Sequence, residues 1–281
     1  MEPLVSIVLP THNRKEYLDR AIKSVFSQSY KNIELIVVDD CSTDGTTIND
    51  PRIIVVRNET NLGLAKSLNK GIKLAKGKYI ARLDDDDFWC DDRKLEKQVN
   101  FLENNPEYGL VGGGVIRVDK KEKEIVRYLL IEKDEEIRKV LLVDNVFAHT
   151  TVLFRKDIWE KVDGYDENLD GLEDIDLWLK IGKISKLYNF QEFFVRYLYQ
   201  GNTYLDQRYG KWKQLKLNIK LRKKHKDDYV GYRKGLLLSW ASYFHSLIPF
   251  RKTLWPVLFG IRKLIFGHPP YKYFRNYGNN N

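Results

Sequence analysis

Residues 33–40 read IELIVVDD: an apolar run broken only by Glu34, closed by two carboxylates, Asp39 and Asp40. A short run rich in β-branched residues, without polar alternation, predicts a strand covered on both faces. The charge at its end marks where burial stops. The pattern recurs on either side. Val5–Pro10 (VSIVLP) runs into Thr11-His12-Asn13, and Tyr79–Leu83 (YIARL) runs into Asp84-Asp85-Asp86-Asp87. Ile53–Val56 reads as a further buried strand. Between these runs apolar residues recur at helical spacing: Leu18, Ile22, Val25 and Phe26 within Lys15–Gln28; Leu64, Leu68, Ile72 and Ala75, closed by Gly77; and Leu95, Val99 and Leu102. Alternating strands and helices predict an α/β fold with a parallel sheet between helical layers. Ligands of such sheets bind at the carboxyl ends of the strands. The three polar clusters are therefore expected to converge on one crevice.

The second half is less regular. Leu110–Val118 contains Gly112-Gly113-Gly114, a backbone suited to close approach by another group. Thr151–Phe154 and Phe193–Tyr199 read as strands, and Leu172–Ile181 as a helix. Beyond residue 200 the texture changes. Tyr209–Lys226 is dense in Lys, with Leu and Ile at helical spacing, and Phe250–Gly267 alternates basic pairs with Leu, Trp, Phe and Ile. Such segments resemble basic amphipathic helices that lie in a membrane interface. The chain has 281 residues and a net charge of +9, unevenly spread. Lys and Arg number 17 against 3 Asp and Glu in residues 201–281, but 31 against 36 before them.

The length fits one large domain, or a domain with an appendage. Cys41 and Cys90 are too few for a disulfide framework, and five scattered His form no zinc motif. No secretory leader and no apolar run long enough to span a bilayer is evident. Those absences lead us to expect a cytoplasmic protein.

Four consecutive carboxylates at a strand end repel one another and call for a cation. A hard divalent ion, Mg2+ or Mn2+, with oxygen ligands fits; a solvated acidic loop is the plainer alternative. Glu173-Asp174 follows Gly171 at a helix start. Acidic residues are favoured there by the helix dipole, or they supply a general base. Asp39-Asp40 with Asp44-Gly45 is part turn, part candidate for binding a base or ribose. His149, Arg155 and Trp178 read equally as structural or as ligand contacts. Lys66, near a helix start, reads as a phosphate contact or a surface lysine.

Taken together, VSIVLPTHNRKEYLDRAIKSVFSQSYKNIELIVVDDCSTDGT, NLGLAKSLNKGIKLAKGKYIARLDDDDFW and GYDENLDGLEDIDLWLK resemble the family 2 glycosyltransferases, over about residues 4–200. The resemblance implies a GT-A fold, a Rossmann-like and mostly parallel central sheet flanked by helices, with a basic, mainly helical extension at 201–281. Residues 1–107 would form the nucleotide-sugar half and 108–200 the acceptor half. It implies inverting transfer from a nucleotide-diphosphate sugar to an acceptor hydroxyl, with Mn2+ or Mg2+. Pro10, Thr11 and Asn13 match the first-strand motif that contacts the nucleotide, and Asp40 the residue that reads the base. Asp84 and Asp86 match the metal-binding DxD pair, and Asp85 would lie near the ribose. The run of four leaves open which carboxylates touch the metal. Lys66 stands near a position where many relatives carry Arg. Asp174 matches the catalytic base, and Glu173, His149 and Trp178 are candidate contacts to acceptor or donor. The basic tail resembles those of enzymes that build surface polysaccharides. It leads us to expect a saccharide or lipid-linked acceptor and peripheral contact with an anionic membrane at its cytoplasmic face.

Three other readings fit parts of the sequence. A sugar nucleotidyltransferase would carry a Gly-rich, Lys-bearing phosphate loop after the first strand, where this chain has Pro10-Thr11-His12-Asn13-Arg14. An inactive sugar-nucleotide-binding protein is disfavoured because every expected carboxylate is present. A nucleic-acid binder would use the basic tail, but no specific nucleic-acid module is recognisable there.

Overall fold

The computed structural model describes residues 2–199, 201, 208–248 and the backbone of 271–274. Strands β1 (Val5–Thr11), β2 (Ile33–Asp39), β3 (Ile53–Arg57) and β4 (Tyr79–Arg82) form where the apolar runs predict them. They pair in parallel: β1 lies between β2 and β4, and β3 flanks β2. Helices α1 (Lys15–Phe26), α2 (Leu64–Leu74) and α3 (Lys94–Asn104) connect and flank them.

β1 shows how the sequence builds two layers. Val5, Ile7 and Leu9 pack on one face with Leu18 and Val25 of α1 and Leu95 of α3. Val8, one residue out of phase, packs on the other face with Leu68 and Ile72 of α2. Strand alternation dictates that split. Each fully buried aliphatic side chain contributes roughly 1.5–3 kcal/mol. Gly71 lets α2 close on the sheet, since a Cβ there would meet Val8 Cγ1 at 2.6 Å and Val38 Cγ2 at 3.0 Å. β3 is not a buried strand as expected. It is the sheet edge, and its Ile54 and Val55 are exposed.

The second half adds β5 (Phe88–Trp89), β6 (Tyr108–Val118), β7 (Glu124–Leu130), β8 (Leu153–Arg155), β9 (Lys186–Leu198) and β10 (Tyr271–Phe274). The main sheet order is β10-β7-β6-β8-β4-β1-β2-β3, with β9 pairing β5 and β6. β8 is antiparallel to both β4 and β6. The strand expected at Thr151–Phe154 begins later, because His149–Thr151 forms a 3-10 turn. The one expected at Phe193–Tyr199 is the end of a much longer β9. The glycine run of β6 does serve close approach, but by the protein's own side chains. A Cβ on Gly113 would meet the Phe194 ring at 2.3 Å, and one on Gly112 would meet Asn189 Oδ1 at 2.4 Å.

Helices α4 (Asp134–Val140), α5 (Lys156–Lys161), α6 (Glu173–Ile184), α7 (Lys211–Lys224) and α8 (Tyr232–Leu247) complete the described chain. α7 is helical as predicted, but part of its basic character points inward. His225 Nε2 and Lys224 Nζ each lie 2.8 Å from Asp176 Oδ1 of α6. Buried Arg222 donates to the Val143 carbonyl at 3.0 Å. Residues 250–267 lie outside the described residues.

The chain runs β1 to β2 to β3 in one direction, then crosses to β4 on the other side of β1. That reversal opens a crevice at the carboxyl ends of β1 and β4.

Candidate active site

The loops after β1 and β2 interlock at this crevice. The Asp40 N–H donates to the Thr11 carbonyl at 2.8 Å. Asn13 and Cys41 both adopt left-handed backbone, φ 54° and 65°, which an Asn tolerates well. The Asn13 N–H donates to Ser42 Oγ at 3.0 Å, and Asn13 Oδ1 accepts the Thr43 N–H at 2.7 Å. Asp44 Oδ2 accepts the Lys15 N–H at 3.0 Å and so caps α1 from the neighbouring loop.

Asp40 is buried and heavily engaged. Its Oδ1 accepts Asn58 Nδ2 and the Leu62 N–H, and its Oδ2 accepts the Gly63 N–H, each at 2.8 Å. Three of about four acceptor sites are thus used to hold the loop before α2. What remains for a nucleobase is a single lone pair on Oδ2. Lys66 is exposed on the first turn of α2. Part of that helix end is already satisfied, since Asp170 Oδ1 accepts the Ala65 N–H at 3.2 Å.

The four carboxylates after β4 differ in surroundings. Asp84 is paired with Arg82, and Asp86 with Arg14, whose Nε also lies 3.9 Å from Asp85 Oδ1. Burial first and Asp86 second push the Asp85 carboxyl up to about 7, against the pull of Arg14. Burial and Asp84 raise Asp86 as well. Asp87 points inward: it is fully buried, and its Oδ1 accepts the Leu198 N–H at 3.0 Å. It locks β9 to the loop rather than facing the crevice.

Across the crevice, α6 presents Glu173 and Asp174. Asp174 Oδ2 accepts Asn145 Nδ2 at 2.7 Å, and its Oδ1 accepts the Ile175 N–H at 2.7 Å. Burial raises this carboxyl, while those two bonds and Arg82 oppose the rise. Glu173 is almost fully buried and accepts the Gly171 N–H. Burial, with Asp174 next, pushes it up to about 8.

Arg82 joins the two clusters. It is buried, bonds Asp84 directly, and exerts its field on Glu173, Asp174 and Asp87. Burial opposes its charge, but Asp84 more than restores it. Tyr165 shares this neighbourhood, with its hydroxyl 2.8 Å from His149 Nε2. Burial and Arg82 depress the His149 imidazole well below its ordinary value, so it is neutral. His149 also lies edge-on to Trp178, at 5.5 Å. Trp178 itself is fully buried, packed on Phe147 and Phe154. A direct contact to donor or acceptor is therefore closed to it. Arg155 is structural, bonded to the Tyr108 and Leu102 carbonyls.

The sequence reading missed Arg14, Arg82, Asn145 and Tyr165. Arg82 carried a usable signal. It is a charge inside a buried strand, two residues before Asp84, and residues two apart on a strand share a face.

The donor chemistry suits a hard divalent cation. Asp84 and Asp86 offer carboxylate oxygens beside two guanidinium groups that already answer a surplus of negative charge. Among the described residues no three His, Cys, Asp or Glu side chains converge as ligands. The fit is to an ion held by one or two carboxylates, with the rest supplied by water and phosphate, which is the habit of Mg2+.

Comparison with known proteins gives the family. The profile of glycosyl transferase family 2 matches residues 6–163. The Escherichia coli protein UDP-Glc:alpha-D-GlcNAc-diphosphoundecaprenol beta-1,3-glucosyltransferase WfaP is 35% identical over 185 residues, 63% of this chain and 70% of that protein. Among solved structures, residues 1–349 of S. aureus TarS in complex with UDP-GlcNAc superpose with a TM-score of 0.68 at 17% identity. That match covers 89% of this chain and 77% of TarS 1–349. The mannosyltransferase PcManGT from Pyrobaculum calidifontis, in complex with GDP-Man and Mn2+, superposes with a TM-score of 0.61 at 18% identity. That match covers 96% of this chain and 77% of PcManGT. With its strand order, crevice and matched family, this chain belongs to glycosyl transferase family 2 and is a glycosyltransferase of the GT-A fold.

Proposed function

We propose that this enzyme transfers a sugar from a nucleoside-diphosphate sugar to an acceptor hydroxyl in one inverting displacement, with Asp174 as the general base. The observation that carries the reading is Arg82. One buried cation sits between the strand-end carboxylates on the donor side and the α6 carboxylates on the acceptor side.

Asp84 and Asp86 would hold a divalent metal, Mn2+ or Mg2+. Such an ion, when bound, neutralises the diphosphate and makes it a better leaving group. Pro10, Thr11 and Asn13 border the nucleotide, Asp40 offers its remaining lone pair to the base, Asp85 faces the ribose and Lys66 the phosphates. On the acceptor side, Asn145 and the Ile175 N–H fix the orientation of the Asp174 carboxylate. Burial raises its basicity, as a general base requires. Asp174 takes the acceptor proton while the hydroxyl oxygen bonds to the anomeric carbon. The bond from that carbon to the phosphate oxygen breaks on the opposite face. Glu173, held protonated near neutral pH, adds no second charge beside it.

Residues 1–200 would act as the catalytic unit, with the acceptor a saccharide or lipid-linked saccharide. Residues 201–281 would contact an anionic membrane at its cytoplasmic face. The lipid-linked acceptor in the name of WfaP supports that choice. So does the Mn2+ and GDP-Man complex of PcManGT for metal and donor class.

The test is nucleoside-diphosphate release from a panel of UDP-, dTDP- and GDP-sugars, with Mn2+, Mg2+ or EDTA. We expect slow, metal-dependent hydrolysis of one donor. Asp174→Asn should keep donor binding and lose transfer, and Asp86→Ala should lose the metal-dependent part of donor binding. No metal-dependent nucleotide binding by folded protein would favour an inactive binding protein of the same fold. Near-normal turnover by Asp174→Asn would remove that residue from its role.

A further inference from the structure

The two C-terminal helices present an apolar face that nothing in the described protein covers. On α8, Leu237, Trp240, Phe244 and Leu247 follow one another at i, i+3, i+7 and i+10, and all are exposed, with exposed Ile248 just past the helix end. That spacing is one side of a helix. Leu237, Phe244 and Leu247 are each more than half exposed. Trp212 of α7, itself half exposed, extends the stripe. Its ring lies 6.3 Å from Trp240 and 5.6 Å from Tyr243, and Trp240 stacks on Phe244 at 5.8 Å. Contiguous patches of this kind mark binding surfaces.

The charge around the stripe indicates what binds. Lys216 and Lys223 share the Trp212 side of α7 at i+4 and i+11, and both are exposed. Lys216 Nζ lies 5.4 Å from the Trp212 ring. Arg233, exposed, lies seven residues before Trp240 on the same side of α8. Residues 208–248 contain two carboxylates, Asp227 and Asp228, both in the turn between the helices. Asp228 is paired with Lys183 at 2.5 Å. The face is therefore aromatic and aliphatic along its middle, cationic along its flanks, and free of carboxylates. Indole rings, apolar side chains and lysines in that arrangement match the headgroup boundary of an anionic bilayer.

We propose that the α7–α8 face, through Trp212, Leu237, Trp240, Phe244 and Leu247, is the surface by which this enzyme sits in an anionic membrane interface. The proposal rests on the membrane contact proposed above and assigns it to particular residues. Its position suits a lipid-linked acceptor. A cleft of about 260 Å3 is lined by Lys211 and Asn218 of α7, Ser242 and Tyr243 of α8, and Val143 and Asp144. Tyr243 belongs to the aromatic cluster, and Asp144 precedes Asn145, which holds Asp174. A saccharide head attached to an embedded lipid would thus start close to the acceptor side of the crevice.

The experiment is flotation of the full chain with phosphatidylcholine vesicles, with and without phosphatidylglycerol, at low and high salt. Wild-type protein should float with the anionic vesicles and less so in salt. The Trp240→Ser/Phe244→Ser variant should lose at least about tenfold in partitioning, with melting and donor hydrolysis in solution unchanged. If that variant misfolds, Lys216→Glu/Lys223→Glu, on exposed positions, should give a similar loss. Flotation of folded variants equal to wild type would overturn the assignment while leaving a membrane contact elsewhere in 201–281. No wild-type flotation, with donor hydrolysis intact, would overturn the membrane contact and not the transferase reading. A concentration-dependent dimer abolished by the same substitutions would assign the face to a second copy instead.

Discussion

Arg82→Met tests whether one buried cation organises both halves of the site. The side chain is almost fully buried, and its bonded partner Asp84 retains some access to water. Methionine keeps most of the volume, so the loss is chiefly charge and hydrogen bonds. Removing one member of a buried pair costs roughly 3–5 kcal/mol. The partial exposure of Asp84 argues for the lower end, about 3 kcal/mol. For a chain of this size, with roughly 2–4 °C per kcal/mol, the melting temperature should fall by about 6–12 °C. A second effect follows from the field on Asp174. Burial raises that carboxyl and Arg82 opposes the rise. Without Arg82 the Asp174 carboxyl moves further up, so the acid limb of the pH–rate profile shifts to higher pH. Arg82→Lys, which keeps the charge but not the fork, should fall between. Urea denaturation and a pH series of donor transfer provide both numbers. A loss below about 1 kcal/mol with an unmoved acid limb would refute the reasoning, because a buried arginine facing several carboxylates cannot then be their counter-ion.

Two further outcomes follow from buried carboxylates. Glu173 is pushed up to about 8, so the stability tied to its protonated form is complete below the ordinary carboxylate range and is lost as pH rises through about 8. Glu173→Gln should therefore match wild type in urea below the ordinary carboxylate range, exceed it increasingly as pH rises through neutrality, and hold a constant advantage above about 8, with transfer retained. On the other side of α6, Asp176 is held below its ordinary value against burial by His225, Lys224 and Lys180, and Asp166 is lowered to about 2 with Lys224 and Asn168 as its partners. Depressed carboxyls lose their stabilisation as pH falls, so amides of α7 should exchange faster in acid, as pH drops toward about 2, before those of β1 and β2 do. Equal protection in α7 and the central strands across that range would contradict it.

The first half of the fold was legible because its signal is redundant. IELIVVDD, VSIVLP and YIARL each combine an apolar run with an abrupt polar end, and the helices between them carry a clear 3.6-residue period. β7 hid its nature: in Glu124-Ile125-Val126-Arg127 two apolar residues sit between charges without period-2 alternation, and no burial pattern is sharp enough to name it. β9 runs through Asn189, Gln191, Glu192 and Arg196, and only its apolar end stood out. In Ile53–Val56 the composition was that of a core strand, and its edge position depended on strand order, which no local pattern encodes. In the site, the carboxylates could be placed from spacing, but their division of labour could not. Asp87 faces inward and Asp84 outward because of how one loop folds, and most of Asp40's acceptor capacity goes to Asn58 and the Leu62 and Gly63 N–H groups. Asn145 reaches Asp174 only through tertiary packing.

The arrangement of charge argues for a site that is balanced before any ligand arrives. Four carboxylates in succession, with Glu173 and Asp174 across the crevice, would repel in a bare cavity. Arg14 answers Asp86 and Asp85 from the β1 side, and Arg82 answers Asp84 and the α6 pair from within the sheet. The two cations differ in freedom. Arg82 is enclosed, so its charge is a fixed part of the scaffold. Arg14 is about 29% exposed and stands at the start of α1, at the edge of the crevice rather than within the sheet. A divalent ion and a diphosphate arriving together would replace its role at Asp86 and offer it phosphate oxygens instead. On the reading proposed above, the enclosed arginine would set the acceptor-side carboxylates, and the more exposed one would set how tightly the donor side holds a cation.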